Sequence, residues 1–280
     1  MSADRTGLPS CAARRRLLLA AGAALGLLGL PGRGQADLVQ MLPQIKPSIV
    51  AVGTYQRTRS PAFRFMGTGF VVGDGRMVVT NAHVVPDKLA DEQKEALVVV
   101  SPGNEQTGQV REVVRLGSDR AHDLAVLRVQ GGSALPALAL AGVEHVQEGQ
   151  PVAFTGFPIG GVLGMTPVTH RGIVSAITPI GIPQANSRDL NPALLRRLAG
   201  EVPPIYQLDA TAYPGNSGSP VFNPESGQVI GVINMVFVKS TKESVLSAPS
   251  GISYAIPVLH LHRLLAGLSQ APAPVSPDLR

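Results

Sequence analysis

The sequence predicts an all-β fold. From Asp37 onward it consists of short apolar runs, rich in β-branched residues, that are separated by clusters of Gly, Pro, Asn and Asp. The runs form two sets of about six, divided by a looser stretch that begins at Gly131 and reaches about Gln150. Two such sets suit two antiparallel barrels, although the strand count alone suits a β-sandwich equally well.

Each predicted element follows from local pattern. The first set of strands comprises Ser48–Val52, Thr68–Val72, Met77–Thr80, Leu97–Val100, Val110–Val114 and Leu124–Val129. The second comprises Val152–Phe154, Val168–Ile177, Tyr206–Leu208, Ser219–Phe222, Val229–Ile233 and Ser253–Ile256. After Pro257, a helix is predicted by the apolar spacing of Val258, Leu261, Leu264, Leu265 and Leu268.

Residues 1–36 have the layout of a secretory leader. Three arginines, residues 14–16, precede the apolar run Leu17–Leu30, and small residues up to Ala36 suit a cleavage site. The arginines fit either the twin-arginine or the general secretory route. The run is short for a membrane span, and an uncleaved anchor is the alternative. We therefore expect an exported protein, periplasmic or secreted, with no stable membrane span after leader cleavage.

The remaining chain has almost no net charge and no cysteine. The whole sequence holds 24 basic and 19 acidic residues, and residues 1–36 account for five arginines and one aspartate, which leaves 19 basic and 18 acidic. This balance gives no electrostatic footprint for nucleic acid. The single cysteine, Cys11, lies in the leader, so stability must come from an apolar core. We expect no cofactor and no metal, because metal-ligand spacing is missing around His145, His170, His260 and His262.

Three stretches carry side chains suited to acyl transfer. Ser217 follows Gly215-Asn216 in a glycine-flanked turn, which alone is a weak signal because such clusters are usually plain turns. His83 follows one predicted strand, and Asp123 precedes another. An imidazole can take the proton of a serine hydroxyl near neutral pH, and a carboxylate can orient that imidazole. His122 is a rival base, which strand alternation predicts to face the surface.

Together these stretches resemble the chymotrypsin-like serine proteases, and in particular the bacterial HtrA/Deg group of envelope proteases. The resemblance extends from about Asp37 to about Leu268, and we expect no PDZ domain beyond it. The matching motifs occur in the family's order: Gly67-Thr68-Gly69-Phe70, Thr80-Asn81-Ala82-His83-Val84-Val85, Asp123-Leu124-Ala125-Val126, Gln207-Leu208-Asp209-Ala210, Pro214-Gly215-Asn216-Ser217-Gly218 and Tyr254-Ala255-Ile256-Pro257.

The resemblance implies two antiparallel six-stranded β-barrels with a C-terminal helix. We expect the N-terminal barrel in residues 37–135, the connector and second barrel with its helix in 136–268, and a disordered tail in 269–280. Ser217 would be the nucleophile, His83 its general base and Asp123 the residue that orients His83. The oxyanion hole would comprise the backbone N–H groups of Gly215 and Ser217, with Asn216 between them.

The resemblance also predicts the substrate pocket. Thr211 occupies the position where trypsin-like relatives have an acid, so the pocket lacks the charge that a basic side chain needs. The remaining walls are expected from Ala212, Ile233, Asn234, Met235 and Val236, which suit a small or medium aliphatic side chain. The alternative is that Met235 and Val236 are ordinary core residues. Ser219 stands where HtrA proteases usually have a glycine, and this puts the close packing of its loop in doubt.

The implied function is that of an exported serine endopeptidase that hydrolyses unfolded or damaged proteins through a His-Asp-Ser triad and an acyl-enzyme. The alternative is a catalytically silent member that binds or holds polypeptides. The family often forms trimers, so a homotrimer is expected from the resemblance alone. The segment Ile180–Pro204 is longer than usual, and a helix predicted at Asn191–Gly200 either packs on the second barrel or forms a lid.

Overall fold

The first half of the chain forms a closed antiparallel barrel. The computed structural model describes residues 38–102, 108–143, 146–159, 165–179, 203–234 and 251–270. The barrel strands are β1 (Ile49–Tyr55), β2 (Phe63–Val72), β3 (Met77–Thr80), β4 (Ala96–Ser101), β5 (Gln109–Asp119) and β6 (Leu124–Val129). They close in the order β1-β2-β3-β6-β5-β4.

The second half forms another closed barrel of the same size. Its strands are β7 (Pro151–Gly156), β8 (Val168–Pro179), β9 (Pro204–Asp209), β10 (Pro220–Phe222), β11 (Val229–Ile233) and β12 (Ile252–Pro257). They close in the order β10-β11-β12-β9-β8-β7. The predicted two-barrel fold is therefore confirmed, and the β-sandwich that the strand count left open is wrong.

Two α-helices flank the barrels in the described residues. The C-terminal helix α2 (Val258–Gln270) confirms the prediction from apolar spacing. The N-terminal helix α1 (Leu38–Ile45) is not among the predicted elements. Its apolar residues recur at helical spacing and pack on the core despite the internal Pro43: Leu38, Met41, Leu42 and Ile45. None of the described helices is long and apolar enough to cross a bilayer.

Three apolar clusters hold the barrels together. Alternate residues of one strand join different clusters: Val50 and Val52 belong to the first-barrel cluster, whereas Ile49 and Ala51 belong to a cluster shared by both barrels. This shared cluster also contains Leu124 from the first barrel, Phe222 from the second, and Val258 and Leu261 from α2. The second-barrel cluster is separate and includes Phe154, Leu208 and Ile233. The barrels and α2 are thus packed through a common interior.

Some strands extend beyond the predicted segments. β5 reaches Asp119 rather than Val114, because its last residues still pair with β6 although they are exposed or only half-buried. Single turns of 3-10 helix occur at Lys46–Ser48, Ala82–Val84 and Asp91–Gln93. The predicted helix at Asn191–Gly200, the pocket residues Met235 and Val236, and the tail beyond residue 270 lie outside the described residues.

Candidate active site

His83 lies on the short turn that follows β3, where a carboxylate from the next strand pair holds it. The backbone N–H of His83 donates to Oδ1 of Asp123 at 2.9 Å, and Nδ1 of the imidazole lies 2.6 Å from Oδ2 of the same carboxylate. The turn itself is fixed to the backbone carbonyl of Asp123 by the N–H of Ala82 and the amide of Asn81. Because an ionised carboxylate only accepts hydrogen bonds, this contact puts a proton on Nδ1, and in the neutral imidazole Nε2 is then the acceptor.

Asp123 receives a third hydrogen bond from the other barrel. Nδ2 of Asn234, directly after β11, donates to Oδ2 of Asp123 at 2.8 Å. Asn234 is fully buried, and its backbone N–H donates to the carbonyl of Tyr254 at 2.9 Å, so its side chain has little freedom. Sequence reasoning missed this role, because Asn234 was predicted to line the substrate pocket. The amide therefore ties the second barrel to the carboxylate that contacts His83.

The turn around Ser217 is held by hydrogen bonds on both sides. The N–H of Asn216 donates to the carbonyl of Tyr213, the N–H of Gly218 to that of Ile233, and the N–H of Ser219 to that of Asn216, each at 3.0 Å. By contrast, the N–H groups of Gly215 and Ser217 donate to no residue in the described ranges. The turn therefore keeps two backbone donors unused on either side of Asn216, as an oxyanion site requires.

The nucleophile turn and the His83 turn meet at one glycine. A Cβ built on Gly67 would lie 2.7 Å from a methyl group of Val84 and 3.1 Å from the carbonyl oxygen of Ser217. The next residue, Thr68, donates its N–H to that carbonyl at 2.9 Å. Strand β2 thus brings the residue after His83 and the backbone of Ser217 to the same point. Between the side chains of His83 and Ser217 the described structure contains no hydrogen bond, and catalytic hydrogen bonds of this kind often tighten only in the substrate complex.

Gly218 has a backbone that only glycine adopts easily. Its φ is 88°, and a Cβ there would lie 2.0 Å from the carbonyl oxygen of Thr68. Ser219, which put the close packing of this loop in doubt at the level of sequence, is fully buried. Its hydroxyl occupies the space beside Gly156, where a Cβ would approach the Ser219 Oγ to 2.0 Å. A glycine on β7 therefore makes the room that a glycine at residue 219 would otherwise provide.

The predicted pocket residues have different surroundings. Thr211 is half-buried, whereas Ala212 and Ile233 are buried in the second-barrel cluster. Beside them, His170 stacks on Phe154 with ring centroids 4.9 Å apart. Burial lowers the pKa of His170, so its imidazole is neutral near pH 7.

His122, the rival base, does not face the surface as expected. Its Nδ1 lies 2.6 Å from Oδ2 of Asp119, and its ring stacks on that of His260 with centroids 3.8 Å apart. The expectation failed because His122 lies on a turn rather than within a strand, so alternation does not fix its direction. In the described part of the chain, no group of three or more His, Cys, Asp or Glu side chains is arranged to hold a metal ion.

Paired closed barrels with an Asp-His pair beside a glycine-flanked serine define a chain of chymotrypsin-like architecture. The profile of the trypsin-like peptidase domain matches residues 67–232, which is more than half of the 280 residues. The chain belongs to this family.

Two proteins that are similar in sequence to this chain are named as serine endoproteases. A probable periplasmic serine endoprotease, DegP-like, from Halomonas elongata is 34% identical over 196 residues, which are 70% of this chain and 33% of that protein. A DegP-like protein from Pseudomonas putida strain GB-1 is 31% identical over 241 residues, covering 86% of this chain and 41% of that one. The chain thus spans well under half the length of these curated relatives.

A solved structure shares the fold. The crystal structure of the serine endoprotease from Yersinia pestis aligns with a TM-score of 0.57 at 24% identity, covering 85% of this chain and 67% of that chain. At this identity the likeness concerns the fold alone.

Proposed function

We propose that this chain is an exported serine endopeptidase that cleaves unfolded or damaged polypeptides. The observation that carries the proposal is the carboxylate of Asp123, which contacts both the backbone and Nδ1 of His83 while unused N–H groups flank Asn216. Serine nucleophiles need a positioned base and preorganised donors for the developing oxyanion, and this arrangement supplies residues for both.

In the proposed mechanism, the hydroxyl of Ser217 attacks the scissile carbonyl and passes its proton to Nε2 of His83. Asp123 holds the correct tautomer and stabilises the imidazolium that forms. The negative oxygen of the tetrahedral intermediate accepts hydrogen bonds from the N–H groups of Gly215 and Ser217. His83 then protonates the leaving amine, and water hydrolyses the acyl-enzyme by the same steps in reverse.

The test is labelling with a fluorophosphonate probe followed by mass spectrometry, with cleavage of an unfolded protein such as denatured casein measured in parallel. We expect wild-type protein to carry one adduct on Ser217 and to cleave the substrate, and Ser217→Ala to do neither. Folded wild-type protein that binds the polypeptide without labelling or cleavage would instead favour the catalytically silent alternative.

Substrate choice forms a second prediction. We propose that Thr211, Ala212, Ile233 and the region that follows Asn234 form an uncharged pocket. Peptides with Val, Ala, Leu or Met before the scissile bond should then have a kcat/KM at least about tenfold above those with Lys, Arg or Asp, because a buried charge without a partner is costly. A library profile dominated by basic residues would contradict this pocket.

Export is proposed from the leader-like layout of residues 1–36 and from the periplasmic description of the DegP-like relatives. The same relatives support polypeptides as the substrate class. A homotrimer remains an expectation of the family resemblance.

A further inference from the structure

Two histidines from distant parts of the chain stack on each other beside the candidate active site. His122 lies on the turn between β5 and β6, and His260 lies in the first turn of α2. Their ring centroids are 3.8 Å apart and the ring planes differ by 19°. His260 is 4% exposed, so this contact is an interior one that joins α2 to the turn.

The turn that carries His122 also carries Asp123. The carboxylate of Asp119 stabilises this turn. Its Oδ1 accepts hydrogen bonds from the backbone N–H groups of Ala121 and His122 at 3.0 and 3.1 Å. Its Oδ2 lies 2.6 Å from Nδ1 of His122. The turn ends at Asp123 with a φ of 53°, in the left-handed region that side chains other than glycine rarely occupy. Such a backbone persists only where its surroundings determine it.

Helix α2, which carries His260, is fixed by its packing on the core and on β5. Leu261, next to His260, is fully buried in the shared core cluster, which also contains Leu124, the residue after Asp123. Further along the helix, Leu268 lies so close to β5 that a Cβ on Gly117 would approach it to 2.6 Å. The helix therefore contacts the β5–β6 hairpin at two places, His122 in the turn and Gly117 near the end of β5.

We propose that His260 is a positioning residue for Asp123: by stacking on His122, it holds the β5–β6 turn in the conformation that directs the Asp123 carboxylate to His83. This inference rests on the proposed function, in which Asp123 orients the catalytic base. His260 itself touches neither His83 nor Ser217 in the described contacts, and it acts only through the turn.

The charges around the stack agree with this role. Burial, followed by His122 and Arg263, lowers the pKa of His260 to about 4, and Asp119 opposes that change only partly. His260 is therefore neutral near pH 7 and places no charge against the ring of His122. The groups that face it are Asp119 and His122 from the turn and Arg263 from its own helix.

The experiment compares His260→Leu, which removes the ring, with His260→Phe, which keeps an aromatic stack. His262→Leu is the matched control, because His262 lies on the same helix and contacts the carbonyl of Ala141 at 2.8 Å instead. We expect kcat for a peptide substrate to fall about tenfold to hundredfold in His260→Leu with KM unchanged, since a misdirected catalytic group costs about that much. His260→Phe and His262→Leu should remain within about threefold of wild type.

A second readout does not depend on turnover. Proton NMR should show a low-field resonance from the short His83–Asp123 contact, assigned by its loss in His83→Ala. We expect this resonance to shift or broaden in His260→Leu and to stay unchanged in His262→Leu. Should His260→Leu fail to fold, His122→Leu breaks the stack from the turn side and carries the same expectations.

The outcomes separate the two proposals. Wild-type protein without a fluorophosphonate adduct would defeat the proposed function, while the NMR comparison would still test the positioning role. An active wild type whose kcat and His83 resonance are unaffected by loss of the stack would overturn the positioning role alone. A fall in kcat of equal size in His262→Leu would also overturn it, because the effect would then be a general weakening of α2.

Discussion

Two Asp-His pairs have aspartates only four residues apart, Asp119 and Asp123, and share the same short contact. His83 approaches Asp123, and His122 approaches Asp119, each with Nδ1 at 2.6 Å from a carboxylate oxygen. The second pair is local, and its imidazole ring is covered by His260. The first pair joins segments 40 residues apart and receives Asn234 from the other barrel.

The comparison shows that two Asp-His contacts of the same length can have different surroundings. The two pairs differ in what lies next to each histidine apart from its aspartate. The turn of His83 packs with the backbone of Ser217 against Gly67, whereas His122 stacks on a second imidazole. We therefore propose the first pair for proton transfer with Ser217, whereas the second pair holds the β5–β6 turn.

The largest expected effect comes from breaking each pair in turn. Asp123→Asn should lower kcat by about 10⁴-fold, because the amide favours the wrong tautomer of His83. Asp119→Asn should lower kcat by about tenfold or less, because the asparagine oxygen still accepts the N–H groups of the turn. Steady-state hydrolysis of one peptide by both variants measures the difference. Equal losses in the two would mean that the pairs are not distinct in role.

A smaller effect is expected from the cross-barrel hydrogen bond. Asn234→Ala removes a donor to a charged acceptor, which we expect to lower kcat by about tenfold to hundredfold. Asn223→Ala, which removes a turn hydrogen bond elsewhere in the second barrel, is the control and should leave kcat unchanged. If Asn234→Ala instead raises KM alone, the side chain acts in the pocket, as the sequence first suggested.

A further effect is expected on stability rather than on kcat, through His260, which covers the Asp119–His122 pair. The pKa of His260 is about 4 in the folded protein and 6.5 without the fold, so the unfolded chain binds more protons between these values. The free energy of unfolding should therefore decrease as pH falls from about 6.5 to about 4, by at most about 3 kcal/mol. Urea unfolding across this range measures it, and His260→Phe should show a flatter dependence. Identical curves for both proteins would contradict the assignment.

Most of the fold was predictable because it depends on local pattern. Each of the twelve predicted strand segments forms a strand, because an apolar run marks each strand and turn residues mark its ends. Helix α1 was missed because it is short and contains Pro43, and packing on the shared core outweighs its weak local preference.

The site was predictable only in part. His83, Asp123 and Ser217 could be predicted as candidate site residues from the local sequence and the order of their motifs. The contact of Asn234 with Asp123 spans 111 residues, and the stack of His260 on His122 joins the first barrel to the last helix. Neither has a signature in local sequence, because each depends on how the barrels pack. The space for Ser219 was unpredictable for the same reason, since Gly156, which lies beside its hydroxyl, is on another strand.

The most direct test of the account is the rate at which the fluorophosphonate probe labels Ser217 in wild type, Asp123→Asn and Asp119→Asn. The reaction reports the activated serine alone and needs no knowledge of the natural substrate. We expect wild type and Asp119→Asn to label within about tenfold of each other, and Asp123→Asn to label at least about 10³-fold more slowly. Labelling of Asp123→Asn at the wild-type rate would contradict the claim that this carboxylate serves the catalytic base.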